Sequence, residues 1–360
     1  MTSSSDLEQI ETRTLSLVRD FSFLHADDPV ANSCKAVADA VAQQAVTSSE
    51  GGKRLRALLT LDAFRAFAPQ DVAERDMDAV LDLACAIEVF QTGALVHDDI
   101  IDESDLRRGR PSAHRALEQA VHSGAIGRGL GLMLGDILAT ACIEITRRSA
   151  SRLPNTDALN EAFLTMQREV EIGQVLDLAV EMTPLSNPEA LANASLNVFR
   201  WKTASYTTIA PLLLALLAAG ESPDQARHCA LAVGRPLGLA FQLADDLLDV
   251  VGSSRNTGKP VGGDIREGKR TVLLADALSA ADTADKADLI AIFEADCRND
   301  NQVARTIELF TSTGALDRSR ERIAALWGES RKAIAGLELN SEAQRRLTEA
   351  CARFVPESLR

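Results

Sequence analysis

The sequence predicts an all-α protein organised as one large domain. Long Ala- and Leu-rich segments carry apolar residues at helical spacing. No run of alternating β-branched residues reads as a strand. No Pro-, Gly- or Ser-rich linker divides the 360 residues, although that length alone would suggest two domains. Residues 1–360 are therefore read as a single domain, with 1–28 as an N-terminal extension carrying the first helix. The 46% apolar content is ample for a core.

Taken in order, the pattern predicts helices over 6–21, 29–47, 53–68 and 73–97, the last running into an aspartate cluster. It continues with 113–122, 126–149, 156–181, 187–203, 204–219 and 222–251. The final group is 269–281, 283–296, 301–312, 315–335 and 340–353. Three connections stand out, 48–52, 104–112 and 252–268, all rich in glycine or charge. The others are short, as in a helical array.

Composition removes several classes. A net charge of −14 with one Tyr and two Trp disfavours nucleic acid as a partner. The most apolar stretch, 209–219, is too short to span a bilayer and contains Pro211. The N-terminal residues Asp6, Glu8 and Glu11 do not read as a signal peptide. With mean hydropathy near zero, this describes a soluble, cytoplasmic protein without stable membrane insertion. The six cysteines are scattered without a CxxC pair and read as buried, reduced thiols. No HExxH or His/Cys ligand set suggests zinc.

Two clusters of one form carry the functional signal, Asp98-Asp99-Ile100-Ile101-Asp102 and Asp245-Asp246-Leu247-Leu248-Asp249. Residues four apart share a helix face, so Asp98 stacks on Asp102 and Asp245 on Asp249. Like charges at that spacing destabilise a helix. Apolar neighbours argue against a merely solvated face. Oxygen-liganded divalent cations, completed by a phosphate-bearing substrate, supply the missing counter-charge. Basic segments lie nearby in sequence. Gly51-Gly52-Lys53-Arg54-Leu55-Arg56 opens a helix and makes an anion site. Leu106-Arg107-Arg108-Gly109 follows the first cluster, and Gly258-Lys259-Pro260 and Gly263 to Arg270 follow the second. Cations kept beside carboxylates point to a metal-bridged anion such as diphosphate.

With these motifs, the chain resembles the trans-isoprenyl diphosphate synthases (polyprenyl synthetases) over about residues 30–355, most closely bacterial and particularly actinobacterial geranylgeranyl diphosphate synthases. The matching motifs occur in the family's order: GGKRLR at 51–56, DDIID and LRRG within 98–109, GQVLDL at 173–178, KT at 202–203, FQLADDLLD at 241–249 and GKPVGGDIREGK at 258–269. The resemblance implies the isoprenoid synthase fold, antiparallel helices around a central cavity, and a homodimer. It implies a magnesium-dependent prenyltransferase that ionises an allylic diphosphate (C5–C15) and condenses it with isopentenyl diphosphate. Three magnesium ions are expected, with manganese as a substitute. The metal ligands carried over are Asp98, Asp102 and Asp245, with Asp99, Asp246 and Asp249 in supporting or water-mediated positions and Gln174 and Asp177 as a motif pair near the same metals. Arg107, Lys259 and Lys202 would bind the allylic diphosphate. Lys53, Arg56, Arg108 and Gln91 would serve isopentenyl diphosphate. Lys202, Thr203 and Gln242 would face the allylic cation. Lys269 would touch diphosphate or pin its loop, Arg54 reads as structural, and His97 as a supporting neighbour of Asp98.

Product length is read from the helix before the first cluster. Ala94 and Gly93 stand where short-chain relatives often carry aromatic residues, which leaves the floor open at that level. Phe90 lies one turn deeper. At about 1.5 Å per residue the step from Gly93 adds roughly 4.5 Å, near one isoprene unit. Phe90 as the floor gives geranylgeranyl diphosphate (C20); without it the product is C25–C35. A class I terpene cyclase is disfavoured by the second Asp-Asp-x-x-Asp cluster and the GGKRLR segment, and a non-catalytic synthase subunit by the two intact clusters.

Overall fold

The computed structural model describes residues 4–22, 30–252 and 261–360. Among these residues the only departure from helix and loop is one hairpin of two two-residue strands. The chain divides into two compact units. Residues 1–165 and 210–227 form the first, 166–209 and 228–360 the second.

The first unit contains α1 (Ser4–Phe21), α2 (Asn32–Ser49), α3 (Leu55–Phe67) and α4 (Gln70–Ile101). Strands β1 (Leu106–Arg107) and β2 (Arg110–Pro111) follow, pairing antiparallel with Arg107 opposite Arg110. Then come α5 (Ala113–Val121), α6 (Gly124–Ala150), the start of α7 (Thr156–Val180) and, later in the chain, α9 (Ala210–Ala218). Helix α4 is the core element, packed against α1, α3, α6 and α9. Val80, Leu83, Ile87 and Val89 on it are fully buried. Helices α4 and α6 are long and apolar enough to cross a membrane by length and composition, which the expectation based on 209–219 missed. Most of the apolar window of α4 is spent inside the unit, while α6 leaves Ile126, Leu132, Met133 and Ile143 exposed.

The second unit holds the rest of α7, α8 (Pro188–Val198), a π-helical segment (Phe199–Ile209) and most of α10 (Pro223–Val251). It continues with α11 (Gly263–Glu267), α12 (Val272–Ala280), α13 (Thr283–Phe293), α14 (Asp300–Ser312), α15 (Ala315–Ala335) and α16 (Ser341–Ala352). Local chemistry starts several of these helices. Asn299 and Gln302 form a reciprocal capping box on α14, and Asp282 accepts from two backbone N–H groups of α13. Helix α12 packs on α8, α14 and α15.

The expected break between helices at 203 and 204 does not exist. Instead α8 passes through eleven π-helical residues into α9. Pro211 lacks the N–H that would close an α-turn onto Thr207, which loosens the ladder there. Three glycines accept the widened turns. A Cβ at Gly173 would sit 2.4 Å from the Lys202 nitrogen, one at Gly238 2.5 Å from the Ala204 Cβ, and one at Gly234 3.0 Å from the Ile209 Cα. None of the six cysteines is disulfide-bonded; four are buried as expected, but Cys34 and Cys297 are exposed.

Candidate active site

In the first unit, α4 delivers the first aspartate cluster at its C-terminal end. A helix C-terminus is the unfavourable end for negative charge, so these carboxylates call for cations. Asp99 is only 2% exposed and accepts the Arg107 Nε at 2.9 Å, with a second, shorter bond from Nη2. Burial opposes the Arg107 charge, yet the Asp99 bonds and the charges of Asp99, Asp98 and Asp102 raise its pKa above the ordinary value. Asp98 is half-buried and Asp102 exposed, on the same side of the helix. His97 turns away toward α6, its Nε2 3.1 Å from the Leu132 carbonyl and 3.3 Å from Asp136 Oδ1.

Beside Arg107 lies a cavity of about 290 Å³ lined by Gly51, Gly52, Thr92, Asp99, Arg107 and Arg108, among others. Arg108 donates to the Glu50 carbonyl at 2.6 Å, and its guanidinium lies against Gly52, where a Cβ would be 3.0 Å away. Burial, then the nearby Arg54 charge, pushes the Arg108 pKa down. An anion in this cavity would relieve both. Of the residues expected here, Arg107 and Arg108 line the cavity; Lys53, Arg56 and Gln91 are not among its walls. Lys53 is exposed, Arg56 buried, and Gln91 half-buried on the face of Asp98.

The chain-length residues also require a correction. Gly93 is no opening. A Cβ there would meet the Gly135 carbonyl at 3.1 Å and the Leu138 Cβ at 3.3 Å on α6, so it is a helix-packing contact. Ala94 is half-buried on the Asp98 side, and Phe90 is 4% exposed.

In the second unit, the π-helical turns place Lys202 Nζ 2.8 Å from Asp177 Oδ2. Thr203 Oγ1 donates to Gln242 Oε1 at 2.8 Å, and Gln242 Nε2 donates to Asp246 Oδ1 at 2.8 Å. Asp246 is 5% exposed, and its Oδ2 has no hydrogen-bond partner. Burial, then the charge of Asp264, raises its carboxyl pKa well above the ordinary range, with Asp245 adding to this against the Gln242 bond. The buried Oε1 of Gln174 is likewise without a partner. Such an oxygen-only donor set fits a hard divalent cation. Among the described residues, no three His, Cys, Asp or Glu side chains already converge as a metal-binding group.

Asp249, expected in a supporting position at the metals, has both carboxylate oxygens engaged by backbone. Its Oδ1 and Oδ2 accept from the Gly263 and Asp264 N–H groups at 3.2 and 3.0 Å, and its carbonyl accepts from Gly262 N at 2.8 Å. The carboxylate therefore caps α11. Lys269 pins the same turn, 2.8 Å from Glu267 and 3.4 Å from Asp264. Lys259 lies outside the described residues. Sequence reasoning also missed Glu88, which reaches from the buried face of α4 to Arg54 and to the Ala57 N–H. Nothing in its local sequence distinguishes it.

An all-helical fold with two aspartate clusters and a cationic cavity defines a diphosphate-handling enzyme. The chain belongs to the polyprenyl synthetase family, whose model matches residues 38–310. It is 32% identical to a short chain isoprenyl diphosphate synthase of Methanothermobacter thermautotrophicus over 270 residues, 74% of this chain and 75% of the relative. It is 30% identical to the octaprenyl diphosphate synthase of Escherichia coli over 81% of each chain. A crystal structure of geranylgeranyl pyrophosphate synthase from Corynebacterium glutamicum, complexed with isoprenyl diphosphate and magnesium, superposes with a TM-score of 0.85 at 31% identity, covering 98% of this chain and 99% of that one. The all-α isoprenyl synthase fold is thus the fold of this protein, and the chain is a prenyltransferase that condenses isopentenyl diphosphate with an allylic diphosphate.

Proposed function

We propose that this enzyme makes geranylgeranyl diphosphate (C20) as its main product, using Lys202, Thr203 and Gln242 at the reacting centre. The bond chain from Thr203 through Gln242 to Asp246 Oδ1, with Asp246 Oδ2 left without a partner, carries the reading of the centre. With its proton given to Gln242, the Thr203 hydroxyl offers oxygen lone pairs to a developing allylic cation. Gln242 is held at both ends, so these dipoles need little reorganisation during ionisation. Lys202 exchanges Asp177 for the allylic diphosphate, and the departed diphosphate takes the proton released on condensation. Arg108 and the 51–52 turn hold the isopentenyl diphosphate.

Asp98 and Asp102 at the C-terminal end of α4 would hold magnesium with Asp99 supporting, and Asp245 on α10 would do so with Asp246 supporting, for three ions in all. Magnesium, when bound, neutralises charge gathering on the leaving group. Phe90 supports C20, being the first aromatic side chain one turn below Ala94. The octaprenyl relative, matched over 81% of its length, favours a longer product as the second reading. We read both units as one domain, since the matched span runs through them, and the protein as cytoplasmic. The exposed apolar residues of α6 support a homodimer formed through that helix rather than through α4, whose Cys85 face is buried.

The test is a magnesium-dependent assay with labelled isopentenyl diphosphate and farnesyl diphosphate, products sized by mass. A single C20 product supports the proposal. C25 and longer products remove Phe90 as the floor, and no elongation from C5, C10 or C15 primers overturns the site assignment.

A further inference from the structure

The turn beside the cationic cavity is held in an unusual backbone state. Gly51 and Gly52 have φ of +71° and +95°, and Arg54, which carries a side chain, has φ of +48°. The left-handed conformation is unfavourable for a side-chain-bearing residue, so surrounding contacts must hold it. A glutamate from the first helix supplies them. Glu11 Oε1 accepts from Gly51 N at 2.7 Å, and Glu11 Oε2 accepts from Arg54 Nε at 2.8 Å with Nη2 at 2.6 Å. Arg54 is 3% exposed; it also donates to the Ser49 carbonyl and lies 3.5 Å from Glu88. Glu11 thus grips both ends of the turn, while Gly51 and Gly52 form cavity wall and Gly52 backs the Arg108 guanidinium.

We propose that Glu11 is a positioning residue for isopentenyl diphosphate, making the first helix part of the substrate site without lining it. This rests on assigning that substrate to the Arg108 cavity. Glu11 lies N-terminal to the matched span 38–310, so the clamp is added from outside the matched region. Its action is distinct from docking α1 in general. That task is shared by Asp6, which accepts from Arg65 at 2.8 and 2.9 Å, and by Arg13, 2.5 Å from Asp78 and 2.7 Å from Asp82. Those bonds run to α3 and α4 rather than to the turn.

The experiment compares Glu11→Ala, Glu11→Gln, Asp6→Asn and Arg108→Ala by steady-state kinetics, varying each substrate in turn. Removing the charge-assisted bonds of Glu11 should raise KM for isopentenyl diphosphate roughly tenfold. The value of kcat and the KM of the allylic substrate should stay near wild type. Glu11→Gln keeps an acceptor for Gly51 N but no charge for Arg54, and should fall between. Asp6→Asn should leave both KM values unchanged. The proposal is overturned if Glu11→Ala leaves KM unchanged while Arg108→Ala raises it, or if Asp6→Asn reproduces the Glu11→Ala effect. No effect from Arg108→Ala, whatever Glu11→Ala does, refutes the cavity assignment and the proposal with it. Should Glu11→Ala not fold, an unchanged KM in Glu11→Gln overturns the proposal and a raised one supports it.

Discussion

Lys202 and Asp177 neutralise each other across 2.8 Å, one on a π-helical turn and the other on α7. The pair joins a residue assigned here to diphosphate with one assigned to metal. On that assignment, substrate and magnesium would part it. Both side chains are partly exposed, so the pair itself contributes at most about 1 kcal/mol to stability. Lys202→Ala is expected to leave thermal unfolding nearly unchanged. It should lower kcat/KM for the allylic substrate by roughly 10- to 100-fold, the value of a charged hydrogen bond to diphosphate. A large loss of melting temperature would instead make Lys202 a structural residue.

Gly173 tests the π-helical segment. Its substitution by alanine puts a methyl 2.4 Å from the Lys202 nitrogen and 2.6 Å from the Lys202 Cα, both backbone atoms. Overpacking of this kind costs about 1–3 kcal/mol. Gly328→Ala is the contrast, since nothing lies within 4 Å of a Cβ there on α15. That variant should gain about 0.5–1 kcal/mol through helix propensity. Differential scanning calorimetry separates the two, and equal melting temperatures would mean that α7 can withdraw from the π-helical turn without loss.

Asp249 and Asp245 should behave differently although they belong to one motif. Asp249→Ala removes the cap on α11 and should cost about 1 kcal/mol, with faster proteolytic cutting within 261–271. Its magnesium half-saturation should move less than that of Asp245→Ala. A larger magnesium shift in Asp249→Ala would make that residue a direct ligand rather than a supporting one.

Phe90 and Gly93 part company in the same way. Phe90→Ala should lengthen the product beyond C20 and cost about 3–5 kcal/mol as a core truncation. Gly93→Phe should not act as a new pocket floor. It would press on the Gly135 carbonyl and Leu138, and should fall in stability first. A stable Gly93→Phe variant with a C15 product would contradict the packing described for α4 and α6.

The thiols offer a solution check of the fold. Burial pushes the Cys85 thiol pKa up to about 12. Cys34 and Cys297 are exposed. A chromogenic disulfide reagent at pH 8 should therefore react quickly with two thiols in the native protein and with all six in denaturant. Rapid native reaction of more than two would mean that a buried cysteine is reached by opening of the fold.

The parts of the site that were legible in the sequence are those whose chemistry is local. Spacing alone puts Asp98 over Asp102, and the Gly-Gly-Lys-Arg run marks its own turn. The missed parts depend on distant neighbours. Gly93 reads as an absence of bulk until Gly135 and Leu138 are seen against it. Asp249 repeats the motif of Asp102, yet the backbone of Gly263 and Asp264 folds back onto it. Glu11 and Glu88 sit in ordinary helical patterns, where no periodicity marks a glutamate that will meet Arg54. The π-helical segment escaped for the same reason, because its glycine recesses lie on α7 and α10.

The π-helical stretch also bears on how this chain can tolerate insertions and deletions. An α-helix advances about 100° per residue, so each change of one residue rotates everything beyond it by that angle. Between Phe199 and Ile209 the chain carries more residues per turn than its axial length requires. Removing one residue there would let the turns tighten toward α geometry at nearly the same span. Lys202 and Thr203 would then swing around the axis. This stretch is therefore a point where a single-codon deletion could re-aim the reacting side chains without rebuilding either flanking helix.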